Sequence, residues 1–155
     1  MNRGLQVQNF QFAKFYQRLS AFIFDTFIVS VAYGIIIAII TMNPEKLLSR
    51  FNSTSGNSTL DLIVISIILL ILFVIVPKFN KGMTFGQRFL AIKMIKDNYE
   101  ETTMVTFLIR FIIIAALSVL FLGVPLIINV YLMLFRKDHK TIQDWLFKTS
   151  VIQTR

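Results

Sequence analysis

Two residues of opposite charge stand where the chain first becomes apolar. Arg18 precedes a long apolar run, and Asp25 lies inside that run, seven residues later. Seven residues are about two helical turns, so both side chains would lie on nearly one face, about 10 Å apart along the axis. A carboxylate at membrane depth costs about 3 kcal/mol or more unless something offsets it. Asp25 therefore predicts either a group that binds and exchanges a cation or proton, or an ion pair with an arginine of another segment.

Other polar residues lie at or inside the apolar stretches. Asp144 is expected to cap a short helix, to pair with Arg18 or Arg88, or to line the cytoplasmic mouth of a path. Arg88 and Arg110 follow or begin apolar stretches, where anchoring on the cytoplasmic side explains them. Asn129 is typical of an interhelical hydrogen bond. Arg18, Asp25 and Asp144 are therefore the candidate ion-binding residues. The secondary candidates are Arg88, Arg110 and Asn129.

The residue types exclude several classes of site. The chain has no cysteine and one histidine, His139, so thiolate metal sites and the usual histidine clusters are excluded. It contains no phosphate-binding loop, no Ser/His/Asp set and no pair of carboxylates within one apolar stretch. We therefore expect no metal, no cofactor and no enzymatic activity.

The composition is that of an integral membrane domain. Of 155 residues, 55% are hydrophobic, and the mean hydropathy is +0.70, which a soluble domain of this size does not reach. Apolar stretches cover about residues 19–40, 61–77 and 107–135. We predict a single domain over residues 1–155, an all-α membrane bundle with three to four transmembrane passages. Short cytoplasmic amphipathic modules are predicted at about residues 78–103 and 136–155.

Basic residues gather on alternate connections. Arg3, Lys14 and Arg18 precede the first stretch, whereas the first loop holds only Lys46 and Arg50. Five lysines and arginines follow the second stretch, and five more lie in the tail. This pattern predicts a cytoplasmic N-terminus and an external first loop. Lipid headgroups and topology explain the net charge of +8, so we expect no nucleic acid as a partner.

The third apolar stretch allows two topologies. As one tilted helix it would place the basic tail outside the cell, against the charge rule. As a hairpin turning near Gly123 and Pro125 it would return the tail to the cytoplasm. Each arm would then be about 18 to 24 Å long, which is short of the roughly 30 Å hydrocarbon core.

An internal repeat favours the hairpin. Residues 84–95 align without a gap on residues 141–152, with similar apolar positions and two identities. In each segment an amphipathic beginning is typical of a short interfacial helix, and an alternating end is typical of a strand. If the repeat is real, both modules face the same side of the membrane, and their strands can pair in a small cytoplasmic sheet.

These residues together resemble the RDD family of small bacterial membrane proteins, named for one arginine and two aspartates. Arg18 and Asp25 match the family's arginine and first aspartate, and Asp144 matches the second. The family's segment around a Gly-x-Thr-x-Gly-(Lys/Gln)-Arg pattern matches residues 82–88, and the resemblance covers about residues 10–152. Gln143 stands where family members often have a histidine, which argues against a His-Asp proton relay.

The resemblance implies a multi-pass protein of the bacterial plasma membrane and leaves two hypotheses about its function. In the first, the protein moves or senses small cations or protons, with Asp25 as the exchangeable group, and works as a homo-oligomer. Arg18 would hold Asp25 ionised or gate access, and Asp144 would serve at the cytoplasmic mouth. In the second, the protein is a membrane scaffold or regulator that binds another membrane protein. The lipid bilayer is the surrounding partner in both.

Overall fold

A computed structural model describes residues 11–48, 54–98, 100–136 and 139–154. The helices, in chain order, are α1 (Phe15–Ile40), α2 (Glu45–Leu48), α3 (Ser58–Leu70), α4 (Val76–Phe79), α5 (Phe85–Phe89), α6 (Met104–Leu120), α7 (Val124–Phe135) and α8 (Ile142–Leu146). A π-helical turn, Ile71–Ile75, joins α3 to α4, and the strands are β1 (Ile92–Lys96) and β2 (Thr149–Gln153). The predicted membrane bundle is confirmed, with a two-stranded sheet added to its helices.

Two of the described helices are long and apolar enough to cross a membrane. One is α1, with 26 residues, and the other is the continuous helix Ser58–Phe79, with 22 residues. Both extend beyond the predicted stretches. Pro77 has no N–H to donate and would crowd the preceding turn of a regular helix. The π-helical turn lies just before Pro77, where a helix must adjust its hydrogen bonding.

The third stretch is broken into α6 and α7, which are bent by 117°. Gly123 begins α7 with a left-handed backbone, φ 82°, and Pro125 lies in its first turn. The arms have 17 and 12 residues, or about 26 and 18 Å. Counted as one span, the pair would bring the total to three among the described residues. The structure therefore supports two to three passages, and the upper end of the predicted range, four, goes beyond it.

The internal repeat is visible residue by residue. Thr84 and Thr141 each cap a five-residue helix through a reciprocal pair of side-chain and backbone hydrogen bonds. Ala91 and Lys148 then adopt left-handed backbones, with φ of 51° and 48°, and each leads into a five-residue strand. The two modules therefore have the same local structure in the register that the sequence alignment predicts.

The sheet gathers four distant points of the chain at one end of the bundle. β1 pairs antiparallel with β2, with Met94 opposite Val151. Ala13 N donates to Val151 O, and Gln153 N donates to Gln11 O, both at 2.9 Å. The start of α1, both modules and the exit from α7 thus lie together. Glu101, just before α6, forms a bridge with Ile95 of β1, and His139, just after α7, accepts from Arg18 at the start of α1. Whether α6 and α7 form one broken span or a returning hairpin stays a prediction.

Four basic residues used in the charge argument lie outside the described residues: Arg3, Arg50, Lys137 and Arg155. Lys14 and Arg18 lie at the sheet end of α1, while Lys46 lies beyond its far end in α2.

Single cysteines test this arrangement directly, because the native chain has none. Thr54, Asn98 and Thr154 are exposed, and each is replaced by cysteine in turn. In sealed vesicles of one orientation, a membrane-impermeant thiol reagent should label the variants at positions 98 and 154 from one side. It should label the variant at position 54 only from the other side. Labelling of positions 98 and 154 from opposite sides would contradict the hairpin.

Candidate functional site

A fully buried aspartate between two arginines lies at the centre of the candidate site. Asp144 is 0% exposed. Its Oδ2 accepts from Arg18 Nη2 at 2.5 Å, and its Oδ1 accepts from Arg110 Nη2 at 2.6 Å. The expected pairing of Asp144 with Arg18 is therefore found, with Arg110 as a second partner. Arg18 is committed to Asp144, so it does not pair with Asp25 two turns away on its own helix.

Further hydrogen bonds hold the two arginines in place. Arg110 Nη1 donates to Thr149 Oγ1 at 2.5 Å, and Arg18 Nη1 donates to the backbone oxygen of His139. Asp144 Oδ2 also accepts from Thr141 N at 3.1 Å, which completes the helix cap that the sequence analysis expected. We call Arg18, Asp144 and Arg110 the charged triad. It joins α1, α6 and α8.

The triad keeps Asp144 ionised. Burial alone would raise the pKa of Asp144, but the charges of Arg18 and Arg110 outweigh that effect and lower its pKa to about 2. Removing one partner of such a buried ion pair strongly destabilises the folded protein, because the remaining charge has neither water nor a counter-charge around it.

Asp25 is held by neutral donors from the first module. Thr84 Oγ1 donates to Asp25 Oδ2 at 2.5 Å, and Gly86 N donates to Oδ1 at 2.7 Å. Asp25 is 3% exposed. The ion pairs among the described residues do not include it. The interpretation of Asp25 as the partner of a distant arginine is therefore wrong for the described part of the chain.

Gly86 allows this contact because α5 approaches the backbone of α1 closely. A Cβ at position 86 would lie 2.2 Å from Ala21 O, far inside any real contact distance. Only glycine lets the N-terminal turn of α5 reach the carboxylate of Asp25.

A cavity of about 350 Å³ lies between these two centres. Its polar lining includes Arg18, Asp25, Thr84, Arg110 and Asn129. Its apolar lining comes from helices on several sides and includes Phe73, Phe107, Phe111, Leu126, Val130 and Met133. Asp144 does not line the cavity itself. It lies behind the two arginines.

The secondary candidates separate into two groups. Asn129 Oδ1 accepts from Ile142 N at 3.1 Å. Asn129 therefore links α7 to α8 by the interhelical hydrogen bond that the sequence predicts. Arg110 belongs to the triad. Arg88 donates to Asn80 Oδ1 at 3.2 Å in an exposed position, and it does not line the cavity. The described residues contain no cluster of three or more His, Cys, Asp or Glu side chains that could hold a metal.

Comparison with known proteins identifies the family to which the chain belongs. A sequence model of the RDD family matches residues 12–148, which is most of the chain. The chain belongs to the RDD family. It is 27% identical to the uncharacterized protein YckC of Bacillus subtilis (strain 168) over 139 residues, covering 90% of this chain and 83% of that protein. No solved structure matches the chain.

Sequence reasoning missed two of the residues that build this RDD site. Thr84 and Gly86, which bind Asp25, were noted only as parts of a family segment. The pattern Thr-x-x-Gln at position 84 and Thr-x-x-Asp at position 141 is a capping box and marks both modules. It does not reveal that the capped helix of the first module faces a carboxylate on α1.

The close approach at Gly86 can be tested against a glycine that has room. Gly86→Ala should destabilise the protein by about 1–3 kcal/mol or more, because the new methyl group overlaps backbone atoms of α1. Gly34→Ala is the matched control, since no heavy atom lies within 4 Å of a Cβ there. Unfolding of both variants in detergent should be followed by Trp145 fluorescence. Equal stabilities would contradict the close packing of α5 on α1.

The triad predicts a larger effect at position 144. Asp144→Asn preserves size and the oxygen that caps α8, but it leaves two buried guanidinium groups without a counter-charge. The free energy of unfolding should fall by about 3–5 kcal/mol. Asp97→Asn is the control, because Asp97 forms its ion pair with Lys140 at 2.8 Å while remaining 41% exposed. Its loss should cost less than about 1 kcal/mol.

The same measurement has a pH signature. Asp144 has a folded-state pKa of about 2, below its ordinary value of 3.8. Its contribution is therefore complete above pH 3.8 and is lost as the pH falls through 2. A parent protein whose stability does not fall over this window would contradict an ionised Asp144 in the triad.

Proposed function

We propose that this RDD protein binds and exchanges a proton or a small monovalent cation at Asp25. It would do so as a multi-pass protein of the bacterial plasma membrane, with its N-terminus in the cytoplasm. The membrane location rests on the family and on the two long apolar helices. The orientation rests on the basic residues near the sheet end of the bundle. The proposal assigns the protein no enzymatic step and no cofactor.

The observation that carries the proposal is the contrast between the two buried aspartates. Asp144 is neutralised by two arginines and closed off from the cavity. Asp25 lines the cavity, and its ionised oxygens meet an alcohol and a backbone amide instead of a cation. A carboxylate in such surroundings gains most from a proton or cation that arrives through the cavity.

The partners of Asp25 accommodate both of its protonation states. The Gly86 amide can only donate, so it holds one carboxylate oxygen in either state. The Thr84 hydroxyl can donate to an ionised oxygen or turn and accept from a protonated one. Uptake and release of a proton therefore need rotation of one hydroxyl, with no movement of the helices.

The triad has a supporting role in this mechanism. Arg18 cannot turn toward Asp25 without losing its ion pair with Asp144, so it leaves Asp25 without a directly bonded counter-charge. Asp144 positions the arginines instead of forming the mouth of a path. Because few helices surround the cavity, a continuous path through the membrane would need a second copy of the chain.

Asp25→Asn tests the proposal with little disturbance of the fold. The asparagine oxygen can accept from Gly86 N, and its amide can donate to Thr84 Oγ1, so both hydrogen bonds are retained. The purified protein is placed in liposomes, and proton flux is measured under sodium, potassium or lithium gradients. We expect flux in the parent and in Asp97→Asn, and none in Asp25→Asn.

Two other results would overturn the proposal. The absence of flux from folded parent protein with every ion would favour the scaffold or regulator hypothesis. That hypothesis predicts a membrane-protein partner that co-purifies after mild solubilisation. If Asp25→Asn fails to accumulate in the membrane, Asp25 serves the packing of α5 on α1 instead of exchange.

A further inference from the structure

The arginine end of the cavity carries an uncompensated positive charge. Arg18 and Arg110 contribute two positive charges, and Asp144 contributes one negative charge. Asp97 is paired with Lys140. Asp25 lines the same cavity, but it lies about two helical turns from Arg18. Both arginines are at least nine-tenths buried. A buried net charge of this kind is costly until a counter-charge reaches it.

Asn129 adds an unused donor beside this charge. The side chain is 6% exposed and lines the cavity. Its Oδ1 is occupied by Ile142 N, which fixes the orientation of the amide, because a backbone N–H requires an oxygen as its acceptor. Among the described residues, no acceptor is bonded to Asn129 Nδ2. The cavity therefore offers positive charge and a free amide donor at one end.

The remaining walls of the cavity are apolar. Phe73, Phe107, Phe111, Leu126 and Met133 all belong to this lining. A volume of about 350 Å³ falls within the range of pockets that bury small organic ligands. A small inorganic anion would leave most of this apolar lining without a contact.

We infer that the cavity binds an amphiphilic organic monoanion, a carboxylate with an aliphatic or aromatic body. The carboxylate accepts from Arg18, Arg110 and Asn129 Nδ2, and it neutralises the single excess charge of the triad. The apolar body lies between α6 and α7, against the phenylalanine wall. The carboxylate lies at the arginine end of the cavity that Asp25 also lines, and it binds at a different place from the cation or proton exchanged at Asp25.

A matched pair of tryptophan variants on α7 tests the site without altering the triad. Val130 lines the cavity and is 37% exposed. Ile127 lies on the same helix, is 70% exposed and does not line the cavity. Val130→Trp should fill the cavity, whereas Ile127→Trp should point into lipid. Since both residues already contact the apolar surroundings, both variants are expected to fold.

The probe is octanoate labelled with ¹³C at its carboxylate. The parent protein is placed in nanodiscs of zwitterionic lipid, and empty nanodiscs correct for partitioning. We expect saturable binding by calorimetry and a shifted carboxylate resonance in the parent and in Ile127→Trp. Affinity should fall about tenfold or more in Val130→Trp, because a filled cavity must be repacked before the ligand enters. Two control ligands test the two parts of the site separately. Octyltrimethylammonium has the apolar chain with a positive charge, and acetate has the carboxylate without the chain, so both should bind more weakly than octanoate.

Each outcome decides a part of the inference. Equal binding of octanoate to both tryptophan variants would remove the site from this cavity. Saturable binding of octyltrimethylammonium would contradict the excess positive charge, and equal binding of acetate would contradict the apolar wall. Because binding is measured without an ion gradient, octanoate binding in a protein that shows no flux would leave this inference intact while the exchange at Asp25 fails.

Discussion

The buried carboxylate of Asp144 is the interaction on which the rest of the structure depends. It joins Arg18 at the start of α1 to Arg110 in α6, two residues that anchoring at the membrane surface alone would leave free to reach water. Because both guanidinium groups are buried, the position of α8 is tied to the positions of both helices. The cavity wall, the orientation of Asn129 and the pairing of the strands follow from that one placement.

The two modules use the same local structure for different electrostatic tasks. In the second module, the residue that completes the helix cap is Asp144, and its charge serves the arginines. In the first module, the corresponding residue is Gln87, which is neutral, and the helix instead presents Thr84 and Gly86 to Asp25. The same cap thus occurs once with a carboxylate paired to two arginines and once beside a carboxylate that is held by neutral donors.

Local features of this structure could be predicted from the sequence, whereas most pairings across the bundle could not. Apolar length located the membrane helices, and the alignment of residues 84–95 with 141–152 predicted two modules of the same local structure. Asp144, 126 residues from Arg18, was one of two expected pairings, but the sequence did not choose between Arg18 and Arg88 and did not indicate Arg110 as the second partner. The contact between Gly86 and Asp25 depends on a backbone approach that no side-chain pattern encodes. The cavity is lined by side chains from helices and from both strands, and composition does not specify how these elements are placed around it.

The late position of α8 and β2 in the chain has a consequence for biosynthesis. Arg18 and Arg110 are synthesised before residues 141–153. Until those residues appear, neither guanidinium has its counter-charge, and the edge of β1 has no partner strand. The nascent protein must therefore keep both arginines hydrated at the headgroups or shielded by the insertion machinery. The final packing of α1 against α6 would then follow insertion and would depend on α8, which carries Asp144.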